Sequence, residues 1–351
     1  MTYRIGVDIG GTFTDFALYG EDDGTMAIYK QLTTPADPSV AVLEGISVLL
    51  DRHEVTMENV EAVAHGTTLV TNAVIERRGA KTGMLVTKGF QDIPDMRLEQ
   101  RYDLFDLRLT FPSAIVTRPA RREIAERVTV NGEITNAPDL KQAHAAISEL
   151  IETQMIEALA ICFLHAYANP VHEQAIADMA RAEFPALYVT ASAEVVPTMR
   201  EYERWTTACI NAYTQPMFDR YLGRLEDGLM GLGFNGKLFI MTSSGGVLAP
   251  DVARRFPIRM LESGPAAGVL MSALHGRNLN LPELLSFDMG GTTAKGALVR
   301  DSAPLRKYDM EVARVHDFKR GSGLPVITPA IDMIEIGAGG GSIAEVDERG
   351  L

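Results

Sequence analysis

Two short phrases in this chain carry the residue types that phosphate chemistry needs. Val7-Asp8-Ile9-Gly10-Gly11-Thr12 lies near the start, and Phe287-Asp288-Met289-Gly290-Gly291-Thr292 lies far downstream. In each, a carboxylate is followed by two glycines and a hydroxyl. Paired glycines let backbone N–H groups approach phosphate oxygens, because no Cβ stands in the way. Thr12 and Thr14 in the first copy, and Thr292 and Thr293 in the second, add hydroxyl donors. A carboxylate beside a phosphate repels it unless a cation intervenes. The consistent role for Asp8 and Asp288 is to hold Mg²⁺ through its waters, with Mn²⁺ as an alternative, or to orient an attacking group. One copy alone reads equally well as a Gly-Gly turn with a backbone-capping aspartate. The pair points to two related subdomains closing on one phosphate-bearing ligand.

Each phrase needs strands to hold it. Apolar runs flank both copies, which predicts strand, glycine turn, strand. Residues 39–51 then read as an amphipathic helix with Val42, Leu43, Ile46, Leu49 and Leu50 in one stripe. Residues 60–64 read as a buried strand, 69–77 as a helix and 81–87 as another strand. From 92 to 122 the periodicity fades into a surface excursion rich in arginine. Helix, strand and helix follow at 140–154, 156–164 and 171–184. A short strand at 187–191 precedes a long helical pattern at 199–230, interrupted near Pro216, and a strand at 237–241. Ser263 reads as a helix N-cap with Pro265 in the first turn. Alternating helices and strands make this an α/β protein, divided near residue 190 into lobes 1–190 and 191–351.

Composition narrows the chemistry. The net charge of −13 and the lack of any Lys/Arg-rich run argue against a nucleic-acid or anionic-membrane surface. Phosphate binding must come from backbone donors, a metal or a few placed side chains. The two cysteines, Cys162 and Cys209, exclude a disulfide framework or a cysteine-built metal knuckle. No run of about 18 uncharged apolar residues exists to span a bilayer. The chain opens directly on a strand pattern, so no signal peptide is expected and the expected compartment is the cytoplasm.

Ile334-Glu335-Ile336-Gly337-Ala338-Gly339-Gly340-Gly341-Ser342 runs a strand into a glycine loop, which suits close approach of a nucleoside to backbone. Two Asp-x-Gly-Gly-Thr hairpins followed by such a loop resemble the actin/Hsp70/sugar-kinase superfamily. More narrowly, the chain resembles the A subunit of the hydantoinase/5-oxoprolinase family. The matching phrases, in family order, are Gly6 to Asp15, His65 to Val74, Arg200-Glu-Tyr-Glu-Arg204, Ser263-Gly-Pro-Ala-Ala-Gly268, Phe287 to Thr293 and Ile336 to Ser342. The resemblance implies two ribonuclease-H-like lobes with ATP in the cleft, the second lobe lacking its closing helices. It implies ATP-dependent phosphorylation of the carbonyl oxygen of a cyclic amide, such as hydantoin, 5-oxoproline or a lactam. A B-type partner subunit then completes ring opening. Relatives that carboxylate ketones use the same phosphorylation logic. A sugar-type kinase and a non-catalytic nucleotide switch are the rival readings.

On that reading, Gly10, Gly11, Thr12, Thr14, Gly290, Gly291, Thr292 and Thr293 bind phosphate, and Gly337, Gly339, Gly340 and Gly341 border the adenosine. Asp8 and Asp288 are the catalytic and metal-holding pair. Aligning the hairpins sets Asp15 of the first opposite Lys295 of the second, and Lys295 either reaches a phosphate or pairs with a carboxylate. His65, before Gly66-Thr67-Thr68, is a candidate for substrate orientation or proton transfer, or a structural histidine. Asn72 shares that ambiguity. His172-Glu173 reads as helix capping and surface polarity. Arg97, Arg101, Arg108, Arg118, Arg121 and Arg122 read as solvated loop arginines, or else as an anionic-substrate or partner surface. Arg200, Glu201, Glu203 and Arg204 have ion-pair spacing on a helix.

Overall fold

The computed structural model describes residues 1–351 apart from Gly291, Thr292, Asp317, Phe318, Ala344 and Leu351. Alternation builds its first strands. In β1 (Tyr3–Ile9), Ile5, Val7 and Ile9 enter the core while Gly6 and Asp8 take the other face. β2 (Phe13–Gly20) and β3 (Met26–Leu32) follow as an antiparallel meander. Asp37 caps α1 (Pro38–Arg52) by accepting from the Ser39 N–H, and Pro38 occupies the first turn, where no N–H is needed. Val42, Ile46, Leu49 and Leu50 of that helix pack on the core face of the sheet. β4 (Val60–Thr67) then runs parallel to β1.

After α2 (Leu69–Ile75) the chain leaves to build a second sheet. It passes through β5 (Thr82–Thr87), the single-turn α3 (Ile93–Met96) and β6 (Arg121–Ile124). A small hairpin of β7 (Arg127–Val128) and β8 (Ile134–Asn136) precedes α4 (Leu140–Gln154), β9 (Ala158–Cys162), α5 (Val171–Glu183) and β10 (Tyr188–Ala191). The order is β10-β9-β5-β6, all parallel. β5 and β9 are buried throughout, as a sheet covered on both faces requires. The single-turn α6 (Ser192–Val195) leads to α7 (Glu201–Gly231), which serves both cores. Trp205, Ala208 and Ala212 pack on the second sheet, while Phe218, Leu222 and Leu225 join the first core.

β11 (Lys237–Met241) and β12 (Val247–Leu248) return to the first sheet and complete the order β12-β11-β4-β1-β2-β3. That sheet therefore draws strands from both sides of the expected division at residue 190. α8 (Pro250–Arg255) and α9 (Ser263–Asn278) follow. The last described strands are β13 (Leu284–Met289), β14 (Ala294–Arg300), β15 (Ala303–Pro304), β16 (Arg306–Val312), β17 (Leu324–Ile331) and β18 (Met333–Ile336). β14 pairs with β13, β15 and β18, and α9 covers one face of this sheet, with Val269 and Ala273 packing on Ala297 and Val299 of β14.

Several local expectations change. α7 runs unbroken through Pro216, because a helix packed against two cores is held by burial rather than by each backbone bond. Arg121 is not a solvated loop arginine. It is fully buried, forks onto Asp95 at 2.6 and 3.0 Å, and donates to the Val116 and Gln91 carbonyls, pinning the excursion down. His172 and Glu173 are buried rather than surface residues. His172 Nδ1 lies 2.7 Å from Glu126, and the Glu173 carboxylate accepts from Phe163 N, Ala193 N and the Ser192 hydroxyl. Arg204 is buried as well, donating to Phe163 O and Thr198 O at 2.8 Å each. Tertiary contacts recruit these charges; spacing along the chain does not reveal that.

Candidate functional site

The repeated phrase is a repeated structure. Gly10 N–H donates to Phe13 O, and Gly290 N–H donates to Thr293 O, both at 2.9 Å. The register agrees as well: Asp8 stands opposite Asp15, and Asp288 opposite Lys295. Gly10, Gly11 and Thr12 make the first turn, and Gly11 and Thr12 are exposed to approaching ligand. Gly291 and Thr292 lie outside the described residues, while Thr293 is half-buried beside the turn. Thr14 does not join the turn's open face. It is buried, with its hydroxyl 2.9 Å from that of Thr33, because its strand position points to the sheet's other side. The glycine loop at 337–341 docks on the second hairpin, with Gly340 N–H donating to Gly290 O at 2.9 Å. Gly339 N–H is taken by the Ser342 hydroxyl at 3.0 Å, and Gly337 and Gly341 lie exposed on either side.

Asp8 is the electrostatic centre. It opens on a trough of about 990 Å³ bounded by Gly6, Asp15, Ala17, Gly66 and, from α9, Ala267. Gly6, Ala17 and Gly66 leave open space beside Asp8, while Ile28, Met241 and Met271 supply apolar walls. The Asp8 carboxylate is pressed between two backbones: a Cβ at Gly264 would stand 2.6 Å from its Oδ1, and one at Gly66 2.9 Å away. Gly264 lies in the first turn of α9, whose positive dipole end faces this group. Yet Oδ1 is buried with no hydrogen-bond partner. Burial first, then the charges of Asp15 and Asp288, push the Asp8 carboxyl up to about 6, against the opposing pull of Lys295 and Lys30. The charge on the second hairpin's aspartate is thus felt at Asp8. Among the described residues no cluster of three or more His, Cys, Asp or Glu could hold a metal. A cation here would take Asp8 and Asp288 and fill its remaining positions with water and ligand oxygens, the habit of magnesium. The orphaned Oδ1 fits that role.

His65 stands apart. In register with Val7, it points into the core, fully buried, with Nε2 2.7 Å from the Tyr221 hydroxyl. Burial drives its pKa down to about 4, so it is neutral and faces away from Asp8. The structural reading of this histidine prevails because its strand position alternates away from the trough. Asn72 also bonds locally, donating to the Thr68 hydroxyl at 3.2 Å.

Lys295 pairs with a carboxylate. Its ammonium contacts Glu262 closely and lies 3.6 Å from Glu335. Burial opposes the charge, but Glu262 and then Glu335 outweigh it, and the lysine pKa is raised. Sequence reading missed Glu262. It precedes α9 with φ of 58°, a left-handed conformation that costs an ordinary residue energy and clusters at functional sites. Ser263 is accordingly the first helical residue rather than the cap, and its hydroxyl donates to Thr67 O at 3.0 Å. Nothing in residue type announces a glutamate in that conformation. Gly66 and Gly264 belong to the family-matching phrases, but their closeness to Asp8 emerges only when β1, β4 and α9 converge.

Among the described residues no helix is long and apolar enough to cross a membrane. Residues 4–184 match the hydantoinase/oxoprolinase N-terminal region, and residues 204–351 match hydantoinase/oxoprolinase. An uncharacterised protein of Methanocaldococcus jannaschii is 37% identical over 99% of this chain and 51% of its own length. The caprolactamase alpha subunit of Pseudomonas jessenii is 33% identical over 99% of this chain and 49% of its own. The crystal structure of that ATP-dependent caprolactamase superposes with a TM-score of 0.85 at 31% identity, covering 99% of this chain and 50% of that one. The acetophenone carboxylase gamma subunit of Aromatoleum aromaticum is 28% identical over 99% of this chain and 48% of its own length. The chain thus spans about half the length of these three relatives. With the hairpin pair, the glycine loop and both matched regions in place, the chain belongs to the hydantoinase/oxoprolinase family.

Proposed function

We propose that this chain carries the ATP site of a cytoplasmic enzyme that phosphorylates the carbonyl oxygen of a small cyclic amide, preparing it for ring opening with a B-type partner subunit. The observation that carries this reading is the pair of hairpins closed by the same bond, one bearing Asp8 with its orphaned, buried oxygen and the other Asp288, whose charge reaches Asp8. The strand order β3-β2-β1-β4-β11 of the first sheet supports a ribonuclease-H-like lobe, with α9 and β13 beginning a second. Similarity to an ATP-dependent caprolactamase supports the cyclic-amide class.

In this reading Asp8 and Asp288 would hold Mg²⁺, which offsets the charge of the phosphates. Backbone N–H groups at Gly11 and Thr12, with the Thr12 and Thr293 hydroxyls, orient the phosphate oxygens. The loop at 337–341 borders the adenosine. The substrate's carbonyl oxygen bonds to the γ-phosphorus while the bond to the bridging oxygen breaks, and ADP leaves with that electron pair. The O-phosphorylated ring carbon is then open to water, and where the ring nitrogen carries a proton, that proton passes to solvent to leave the neutral imidate. The chain contributes position and charge neutralisation, which is most of what phosphoryl transfer asks of a protein.

The test is ATP turnover by the complete protein with its B-type partner, measured across hydantoins, lactams and 5-oxoproline, with sugars and ketones as controls. Turnover stimulated by cyclic amides supports the reading, and stimulation by a sugar sinks it. Bicarbonate-dependent incorporation of label into a ketone would move the chain to the carboxylase branch.

A further inference from the structure

A cavity of about 270 Å³ adjoins the hairpin site, and Lys295 and Glu262 belong to its wall. Thr71 and Ile75 of α2, Met310 and Val312 of β16, and Ile331 and Met333 supply the rest of the surface that matters here. Thr293 and Gly337 also border it, so it opens directly beside the second hairpin and the glycine loop. Its charged residues balance: Lys295, Lys307 and Arg314 against Glu262, Glu311 and Glu335. Lys307 is engaged by Asp332 at 3.1 Å, and Arg314 by Glu311 at 3.1 Å. No unpaired cation remains among the described wall residues to recruit a carboxylate ligand. Apolar patches beside a neutral set of charges suit an uncharged, compact, polar molecule.

The Lys295–Glu262 pair gives that molecule a definite edge to match. The ammonium has three donors, of which Glu262 takes one while Glu335 stands 3.6 Å away, so the lysine retains donor capacity. Glu262 meets the lysine through Oε2, leaving Oε1 as an acceptor. A donor and an acceptor therefore stand side by side, fixed by the left-handed backbone at Glu262 and by its N–H bond to the Thr71 hydroxyl at 3.1 Å. A ring constrains its amide to the cis form, so its C=O and N–H point the same way. A chain amide in the trans form points them apart, and a ketone has no N–H.

We propose that Lys295 and Glu262 read the cis-amide edge of an uncharged cyclic amide, Lys295 donating to the carbonyl oxygen and Glu262 accepting from the ring N–H. This rests on the phosphorylation reading above and narrows it to neutral lactam or hydantoin rings over ketones. It also makes Glu262 a specificity residue: it touches the nitrogen while the oxygen reacts.

The experiment is ATP turnover by the complete protein and partner with γ-butyrolactam, δ-valerolactam and ε-caprolactam, each beside its N-methyl counterpart. N-methylation removes the N–H and leaves the carbonyl. We expect stimulation by at least one lactam and about ten- to a hundred-fold lower kcat/KM for its N-methyl form, the range for losing a charge-assisted hydrogen bond. Glu262→Gln should raise KM for the lactam by a similar factor with KM for ATP unchanged, and Glu262→Asp should restore part of the loss. Equal stimulation by lactam and N-methyl lactam overturns the edge-reading while the phosphorylation reading stands. An E262Q effect on KM for ATP alone assigns the cavity to the nucleotide and overturns it too. If ATP binds and no cyclic amide stimulates turnover, both readings fall.

Discussion

Replacing Asp8 by asparagine separates the cost of this site from its use. In the folded protein the Asp8 carboxyl sits at about 6, against 3.8 for an unperturbed aspartate. That difference corresponds to about 3 kcal/mol, an upper figure because the Asp15 and Asp288 shares are screened by salt. The sign follows from proton binding. Between pH 3.8 and about 6 the folded protein keeps a proton that the unfolded chain has released, so stability falls as pH rises through that window. Above it the folded wild type carries the full penalty of a charged, partnerless Oδ1. Asparagine has the same shape and no charge. D8N should therefore resist urea better than wild type at about pH 8, by up to about 3 kcal/mol, and match it near pH 4. It should also lose ATP turnover, and Mg²⁺ should raise the urea midpoint of wild type and not of the variant. A D8N protein less stable than wild type at pH 8 would refute the reasoning, as would a gain equal at both pH values. Either would mean that Asp8 is satisfied by contacts other than those described.

Gly264→Ala would put a Cβ 2.6 Å from Asp8 Oδ1, so the carboxylate must move. Folding should survive, since alanine favours a helix by about 1 kcal/mol over glycine, while turnover drops on the order of a hundred-fold through misplacement; urea midpoints and steady-state rates check both halves. His65→Gln should keep ATP turnover, because the ring lies in the core against Tyr221. The wild-type histidine, held at about 4 against 6.5, loses about 3 kcal/mol of stability as pH falls from 6.5 to 4. A flatter acid limb in H65Q would agree with this, whereas abolished turnover at neutral pH would return His65 to the catalytic group. Arg121→Met should cost about 3 kcal/mol by orphaning the Val116 and Gln91 carbonyls and Asp95, and open the 92–117 excursion to protease. Unaltered digestion there would show that the excursion is held by other contacts.

Much of the scaffold was legible because its signals are local. The alternation of Ile5, Val7 and Ile9, the Asp37-Pro38 start of α1 and the apolar runs of β5 and β9 declare themselves within a few residues. So did the equivalence of the two hairpins, down to Asp15 and Lys295 at matching positions. Those features depend on backbone geometry that residue type alone nearly determines. What tertiary structure decided is which side each polar group faces and what meets it there. Strand alternation sent His65 and Thr14 inward while Asp8 turned to the trough. Long-range convergence placed Gly66 and Gly264 against Asp8, buried Arg121, Glu173 and Arg204, and brought a left-handed Glu262 to Lys295. Burial and charge fields are sums over residues distant in the chain, and only the folded arrangement carries out that sum.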